Sequence, residues 1–352
     1  MKPIIYFIIF FTPFIAKAEP KCPEKFKSEI VFENGMNVLR LSSSSSEIDF
    51  KYDDARSFSE NFAAVKVNGK WGYIDTTREI TIKPQFDYAD IFSEGLASVI
   101  LNNKYLFIDR SSSFLKHGNI SLPEPFSEGF ASVEINGKKG YIDNSGKIKI
   151  KPQFDYAYNF SNGLASVVIK NKYGFVDKTG RLKIGTQFEN AREFSDGLAP
   201  VRLKNQWGYI DTTGKFAIPP QFDNARNFSE EFAPVETNGK WGFVDKNGKL
   251  VILPQFDNAD NFSEELARVE IDHKWGYIDK TGNIIIKAQY DTALPFSEGL
   301  ASVAIDGKWG YINKRGKIVI SLLFDDAKHF SAGLAPVEIN GKKGFIKYPS
   351  CE

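Results

Sequence analysis

The stretch FSENFAAVKVNGKWGYIDTTREITIKPQFDYA, residues 58–89, recurs every 34 residues and decides the fold of this chain. Nine copies run from about Ile48 to Ile346. A period of this length is typical of repeat architectures, in which each unit buries its apolar face only against its neighbours. Each copy begins with an invariant phenylalanine: Phe58, Phe92, Phe126, Phe160, Phe194, Phe228, Phe262, Phe296 and Phe330.

The residue pattern within this copy predicts three antiparallel strands. Phe62–Val67 alternates, the Asn-Gly pair at 68–69 matches the preferred two-residue hairpin turn, and Trp71–Asp75 is the return strand. Ile80–Ile82 predicts a short third strand that Pro84 ends, because proline cannot donate to a central ladder. A linker with at most a helical turn leads to the next phenylalanine. No segment has sustained helical periodicity, so the predicted class is all-β.

The ends of the array leave two overall shapes open. The last copy has a hairpin but no third strand, whereas Ile48–Ala55 resembles a third strand and linker without a preceding hairpin. The N-terminal strand could therefore close onto the C-terminal hairpin in a propeller-like ring. Because propellers typically have four to eight blades of four strands, we predict instead an open, twisted, solenoid-like array of nine three-stranded β-meander repeats.

The N-terminus predicts export. Lys2, the apolar run Ile4–Ile15 and the small residues Ala16 and Ala18 form a signal-peptide pattern, and the run is too short for a good membrane span. The chain then divides into a signal peptide (1–18), an N-terminal cap with a Ser-rich linker (19–47), a repeat β domain (48–348) and a C-terminal tail (349–352). We expect a periplasmic or extracellular protein without an integral membrane segment after cleavage.

Charge and cysteine content limit the classes of partner, disulfide and metal site that the sequence supports. The chain has 45 basic and 44 acidic residues, and cleavage after residue 18 leaves 43 basic residues. The charges alternate along the repeats, which argues against nucleic acid and anionic membranes as partners. Cys22 and Cys351 lie outside the repeats, and an open array favours two free thiols over a disulfide. With three histidines and no Cys-x-x-Cys motif, we predict no metal and no cofactor.

Repeated carboxylates do not single out a catalytic pair. Asp143 within Asp-Asn-Ser-Gly could belong to a calcium loop, but an aspartate before a turn more commonly bonds its own backbone. The same argument applies to the acidic set that contains Asp87 and Asp155. We therefore predict no catalytic residues and no enzymatic activity.

The Lys-Trp-Gly-Tyr-Ile-Asp segments at Lys70–Asp75 and Lys274–Asp279, with the Asp-x-x-Gly-Lys turn and Pro-Gln-Phe-Asp, resemble the WG (KWG) repeat of bacterial proteins. The resemblance covers nearly all of the chain after residue 47. It implies β-rich modules in exported or multidomain bacterial proteins, without a common enzymatic role.

The aromatic position of this motif is the candidate binding surface. Exposed rings can stack on sugars or anchor a protein partner, although they could equally cover the joint between adjacent units. Lys139 and Lys343 occupy the same position in two copies, which predicts incomplete burial. We expect a non-catalytic exported scaffold for protein–protein interaction, or alternatively a glycan- or cell-wall-binding module. The candidate rings are Trp71, Tyr105, Tyr173, Trp207, Trp241, Trp275 and Trp309.

Overall fold

The computed structural model describes residues 28–33, 36–41 and 48–348, and all regular structure in these segments is β. The predicted signal peptide, both cysteines and the C-terminal tail lie outside the described residues. The strands β1 (Ser28–Glu33) and β2 (Met36–Leu41) form an antiparallel hairpin, and β2 also pairs with β3 (Ile48–Asp49). This small sheet falls mainly within the predicted N-terminal cap. No helix in the described segments has the length and apolar character needed to span a membrane.

The repeats form nine antiparallel sheets, here called blades, whose strands lie side by side in chain order. Blade one contains β4 (Asp54–Ala55), β5 (Phe62–Val67), β6 (Lys70–Asp75) and β7 (Ile80–Phe86); blade two, β8 (Tyr88–Ala89), β9 (Leu96–Leu101) and β10 (Lys104–Asp109); blade three, β11 (Phe130–Ile135), β12 (Lys138–Asp143) and β13 (Ile148–Phe154). Blade four contains β14 (Tyr156–Ser161), β15 (Leu164–Ile169), β16 (Lys172–Asp177) and β17 (Leu182–Phe188); blade five, β18 (Asn190–Ala191), β19 (Leu198–Leu203), β20 (Gln206–Asp211) and β21 (Phe216–Phe222); blade six, β22 (Asn224–Ala225), β23 (Phe232–Thr237), β24 (Lys240–Asp245) and β25 (Leu250–Phe256). Blade seven contains β26 (Asn258–Ser263), β27 (Leu266–Ile271), β28 (Lys274–Ile278) and β29 (Ile284–Tyr290); blade eight, β30 (Thr292–Ala293), β31 (Leu300–Ile305), β32 (Lys308–Asn313) and β33 (Ile318–Phe324); blade nine, β34 (Asp326–Ala327), β35 (Leu334–Ile339) and β36 (Lys342–Lys347).

The predicted linker and the predicted stop at proline both differ from the structure. The linker contributes a short strand, such as β4, so that a complete blade has four strands instead of three. The last strand of blade one continues through Pro84 to Phe86. Proline is tolerated there because β7 lies at the edge of its sheet, where one side of the strand has no ladder partner.

The glycine of the Trp-Gly pair allows the third and fourth strands to approach closely. A Cβ atom added to Gly72 would lie 2.4 Å from the Ile82 carbonyl oxygen and 2.7 Å from the Pro84 nitrogen. The register between β6 and β7 shifts on either side of this glycine, as at a β-bulge. Blade two has Leu106 at the equivalent position, and its third strand makes only an isolated pairing with Phe114 in place of a fourth strand.

The hydrophobic core is divided among the joints between blades. At the first joint, Tyr73 and Phe86 of blade one pack with Phe92, Val99 and Ile108 of blade two. Equivalent clusters fill the other eight joints, including one between blade nine and blade one. All nine leading phenylalanines are buried in these clusters. Each blade therefore depends on both neighbours for the burial of its apolar surface.

The array closes into a nine-bladed β-propeller. Tyr52 donates its backbone N–H to the Lys343 carbonyl at 3.1 Å and accepts from the Lys343 N–H at 2.9 Å, so the N-terminal segment supplies the missing outer strand of blade nine. Ser331 Oγ donates to the Phe58 carbonyl at 2.8 Å, and the same serine–phenylalanine bond occurs at the other eight joints.

The all-β repeat class is confirmed, and the ring, which was the alternative shape, is the form adopted. The preferred open array is corrected because it would leave the apolar faces of the first and last units uncovered. Closure instead buries Ala55 and Phe58 against Leu334 and Phe345. The typical number of blades was a poor guide, because the repeated joint contacts are satisfied in all nine positions of the ring.

Candidate functional site

A cavity of 820 Å³ is lined by the first strands of blades four to eight and the residues that follow them, and by the second and third strands of blade four. Side chains from five successive blades can line one cavity only near the axis of the ring, so the first strands are the innermost. The lining residues are Tyr158, Ser166, Tyr173, Asn190, Ala191, Arg192, Glu193, Arg226, Asn227, Asp260, Asn261, Phe262, Ser263 and Pro295. We call this space the axial cavity.

The residues that line the axial cavity differ from blade to blade although the chain is repetitive. Three of its four charged residues, Arg192, Arg226 and Asp260, stand two positions before the invariant phenylalanine; the fourth, Glu193, stands one position before it. At the former position the nine copies carry unrelated side chains: Arg56, Asp90, Glu124, Tyr158, Arg192, Arg226, Asp260, Leu294 and Lys328. Ranking positions by their recurrence in the sequence does not find these residues. The feature that would find them is strong variation between copies at a position close to an invariant residue.

An ion-pair network stiffens one wall of the axial cavity. Asp260 accepts from Arg268 Nε at 2.8 Å and Nη2 at 2.6 Å, and from Arg226 Nη1 at 2.6 Å. Arg226 also donates to Asn258 Oδ1 at 3.0 Å, and Arg268 donates to the Ala293 carbonyl. Burial opposes ionisation of Asp260, but the charges of Arg268 and Arg226 keep its pKa below the usual value.

Four arginines stack on the tryptophans of the repeat motif. The guanidinium carbon lies 4.7–5.3 Å from the ring centroid in the pairs Arg56–Trp71, Arg192–Trp207, Arg226–Trp241 and Arg268–Trp275. Arg192 differs from the other three arginines, because among the described residues its guanidinium has no carboxylate or carbonyl partner. Burial and the charge of Arg226 both lower the pKa of Arg192.

The candidate rings lie in the joints between blades. Trp71, Trp207 and Trp241 each expose 6% of their surface, too little to stack on a sugar face. The other four candidates, Tyr105, Tyr173, Trp275 and Trp309, are partly exposed. Only Tyr173 lines the axial cavity, and it stacks on Tyr158 with ring centroids 6.2 Å apart and planes 22° apart.

The two lysines at the aromatic position are buried to different extents. Lys139 exposes only 8% of its surface, whereas Lys343 is partly exposed, so the position is not fully buried in every copy, as the sequence predicts. Lys139 Nζ donates to the Leu122 carbonyl at 2.6 Å, which satisfies the ammonium within the joint, and burial lowers its pKa. Lys343 has its ammonium 3.4–3.7 Å from the carboxylates of Asp54, Asp326 and Glu338.

Within the part of the chain that the structure describes, Ser166 Oγ and Asn227 Oδ1 at the axial cavity have no hydrogen-bond partner, and the same holds for the equivalent atoms of Ser132, Ser302 and Asn159. Ser166 is only 2% exposed. Glu193, on the same wall as Arg192, has its pKa raised by burial and by the charge of Glu124. The cavity wall thus has hydrogen-bonding and charge capacity that the ring does not use.

The recurring aspartates form turns and joint contacts. Asp143 Oδ1 accepts from the backbone N–H groups of Ser145 at 2.9 Å and Lys147 at 3.0 Å. Burial opposes ionisation, but these bonds, the Ser145 hydroxyl and Lys149 hold the Asp143 pKa at about 2. Asp257 of the second acidic set accepts from Lys240 Nζ at 2.5 Å and from the Asp272 N–H at 2.8 Å, linking blades six and seven. The described residues contain no group of three or more His, Cys, Asp or Glu side chains suited to a metal ion.

Comparison with known proteins identifies the family of the repeat and solved structures with a similar fold. A family model described as "WG containing repeat" matches residues 47–71, 71–105, 124–138, 140–173, 173–207, 207–241, 241–275, 275–309 and 309–342. No curated protein matches the sequence.

Among solved structures, the chain is similar to "Crystal structure of the eukaryotic initiation factor", with a TM-score of 0.56, 10% identity, and coverage of 83% of this chain and 97% of that chain. It also matches dihydro-heme d1 dehydrogenase NirN in complex with DHE, with a TM-score of 0.45, 10% identity, and coverage of 76% of this chain and 72% of that chain. The C-terminal WD40 domain of Sif2 matches with a TM-score of 0.43, 10% identity, and coverage of 86% and 99%. The first similarity concerns the fold alone, and the TM-scores of the other two are too low to carry an argument.

Proposed function

Because this chain belongs to the WG containing repeat family, we propose that it is a non-catalytic scaffold that binds a segment of a protein partner in its axial cavity. The N-terminal signal pattern supports an exported site of action, in the periplasm or outside the cell.

The observation that carries this proposal is that repeated residues build the ring, whereas unrepeated residues lie at the axial cavity. The repeated serines, tyrosines and aspartates are engaged in contacts within and between blades, as in the bonds Ser195 Oγ to Phe228 O and Tyr209 OH to Arg226 O. The unrepeated residues instead gather at the axial cavity, where the Arg192 guanidinium has no carboxylate or carbonyl partner among the described residues. A ring held by repeated contacts, with an irregular polar cavity at its axis, suits recognition of a partner.

A glycan is the second candidate ligand, because Tyr158 and Tyr173 present a stacked aromatic pair at the same cavity. Tyr158 exposes 39% of its surface, enough for one face of a sugar ring. This alternative retains Tyr173 of the candidate surface and does not use the three buried tryptophans.

The test compares binding by the intact chain and by matched variants. The mature protein and its Tyr158→Ala variant are used as baits in periplasmic extract, with Ile80→Ala, an exposed change on an outer strand, as control. We expect one protein in stoichiometric amount with wild type and Ile80→Ala, and its loss with Tyr158→Ala. Recovery that is equal for all three baits would contradict a role for the cavity.

A glycan array with the same proteins tests the alternative. Sugar binding lost in Tyr158→Ala and Tyr173→Ala, without any stoichiometric protein partner, would favour the glycan. Turnover of any substrate by the purified protein would refute the non-catalytic proposal. Recovery of a mature N-terminus at Glu19 would support export, and an intact Met1 in the extracytoplasmic fraction would contradict cleavage.

A further inference from the structure

We propose that Arg192 receives a carboxylate side chain of the partner segment, and that neighbouring residues of that segment pack on Tyr158 and Tyr173. The inference rests on the proposed function and names the chemistry by which the axial cavity would select its ligand. An acidic peptide segment is therefore the expected ligand class.

The first argument is the state of the four arginines that stack on tryptophan rings. Arg226 and Arg268 both bond Asp260, and Arg56 lies 3.5 Å from Asp90. Arg192 has no anionic partner among the described residues. A guanidinium forms its strongest contacts with carboxylates, through two parallel N–H···O bonds. The guanidinium carbon of Arg192 lies 5.2 Å from the Trp207 ring centroid, and Arg192 is an exposed residue, so a ligand can reach it.

The second argument is the arrangement of charge. The charged residues that line the cavity are Arg192, Arg226, Asp260 and Glu193. Asp260 is bonded to Arg226 and Arg268, which leaves Arg192 outside this ion-pair network. The charge of Arg226 lowers the pKa of Arg192, which means that the two cations repel each other. An incoming carboxylate relieves this repulsion. Glu193, next to Arg192 in the sequence, is the lining carboxylate that opposes an incoming anion, although burial and the charge of Glu124 raise its pKa.

The third argument concerns the size and walls of the cavity. A volume of 820 Å³ is large enough to receive a few residues of a peptide segment. The Tyr158–Tyr173 pair offers an apolar wall for a side chain, and Asn227 offers an amide for backbone groups. These features together fit a peptide segment that combines one acidic residue with apolar neighbours.

The probes are two sets of dye-labelled, acetylated decapeptides with randomised flanks, one with a fixed central Glu and the other with a fixed central Gln. Fluorescence anisotropy with the full mature chain is expected to give at least tenfold tighter binding of the Glu set. Arg192→Gln should abolish this preference, whereas Arg181→Gln, an exposed arginine outside the cavity, should keep it. Glu193→Gln should strengthen binding of the Glu set.

Thermal unfolding reports whether Arg192→Gln folds. If it does not fold, Arg192→Lys is used instead. This variant keeps the positive charge but cannot form two parallel hydrogen bonds to a carboxylate, and we expect it to bind the Glu set more weakly than wild type. Equal binding of both sets, or a preference that survives in Arg192→Gln, would overturn the inference.

The outcomes also separate this inference from the proposed function. Peptide binding without a Glu preference, lost in Tyr158→Ala, leaves the proposed function standing and removes the acidic ligand. Binding of oligogalacturonate alone, lost in Arg192→Gln, overturns both the peptide ligand and the protein-scaffold function in favour of an acidic glycan. Binding of none of these probes overturns the acidic segment, and the bait experiment then decides the proposed function alone.

Discussion

Replacing Gly208 by alanine should break the contact between the third and fourth strands of blade five. The added Cβ would lie 2.5 Å from the Ile218 carbonyl oxygen and 2.6 Å from the Pro220 nitrogen. These neighbours are backbone atoms, so no flexible side chain can move aside and the two strands must separate. Gly185→Ala is the matched control, because its Cβ would meet no atom within 4 Å.

The expected cost follows from the kind of clash. Overpacking of a well-packed core typically costs about 1–3 kcal/mol, and a clash with backbone belongs at the upper end. We therefore expect Gly208→Ala to lose about 3 kcal/mol of unfolding free energy. The control should gain about 0.5 kcal/mol, because alanine reduces the entropy of the unfolded chain in a strand that accepts it.

Urea unfolding followed by tryptophan fluorescence measures both variants. With a slope of about 3 kcal/mol per molar urea, the midpoint of Gly208→Ala should fall by about 1 M. Hydrogen exchange should locate the damage in β21 and at the joints of blade five. If the two alanine variants unfold within about 0.5 kcal/mol of each other, the close approach does not explain the glycine.

Further predictions concern the seam, the joints and the turns. Tyr209→Phe should cost about 1 kcal/mol in urea unfolding, because the hydroxyl bond to the Arg226 carbonyl at 2.8 Å is lost; no loss would mean that this bond is not stabilising. At the joint between blades one and two, Glu60 accepts from the backbone N–H of Gly95. Ala332 stands at the equivalent position of blade nine and cannot accept from the Asn61 N–H, so Ala332→Glu should stabilise the ring by about 1 kcal/mol. An unchanged melting temperature would contradict this. Burial lowers the Lys343 pKa but the carboxylates of Asp54, Asp326 and Glu338 raise it further, above the ordinary 10.5. A raised folded-state pKa stabilises the protein below the unfolded pKa and loses this effect as pH rises through the folded pKa, so wild type should lose stability above about pH 10.5 more steeply than Lys343→Met. Asp143, with its pKa at about 2, should lose its contribution as pH falls from about 4 towards 2; an Asp143→Asn variant with the same acid unfolding profile as wild type would refute this.

The repeat explains how much of the fold could be predicted. The hairpin at Asn68-Gly69 and the strands around it follow from local turn chemistry and alternation, and the structure confirms them. The short first strand β4 could not be predicted in the same way, because two residues contain no periodicity. Ring closure could not be predicted from local sequence patterns either, because it depends on small rotations between blades that accumulate over nine joints.

The candidate site could be predicted less well for a physical reason. Recurrence identifies residues that build joints, such as Trp207 and Trp241, and these are the residues that packing removes from the surface. The axial cavity joins Arg192 to Asp260, 68 residues later in the sequence. Their proximity follows only from the stacking of first strands around an axis.

Carbodiimide crosslinking of the wild-type protein tests ring closure most directly. Lys342 Nζ lies 2.6 Å from Asp53 Oδ1 across the seam, although the two residues are 289 positions apart. The equivalent pair Lys240–Asp257, at 2.5 Å within the array, reports whether the reaction works. We predict an amide link between Lys342 and Asp53 in the monomer, with a yield similar to that of the internal pair. Coupling of the internal pair alone, or a seam link found only between two molecules, would contradict the closed nine-bladed ring.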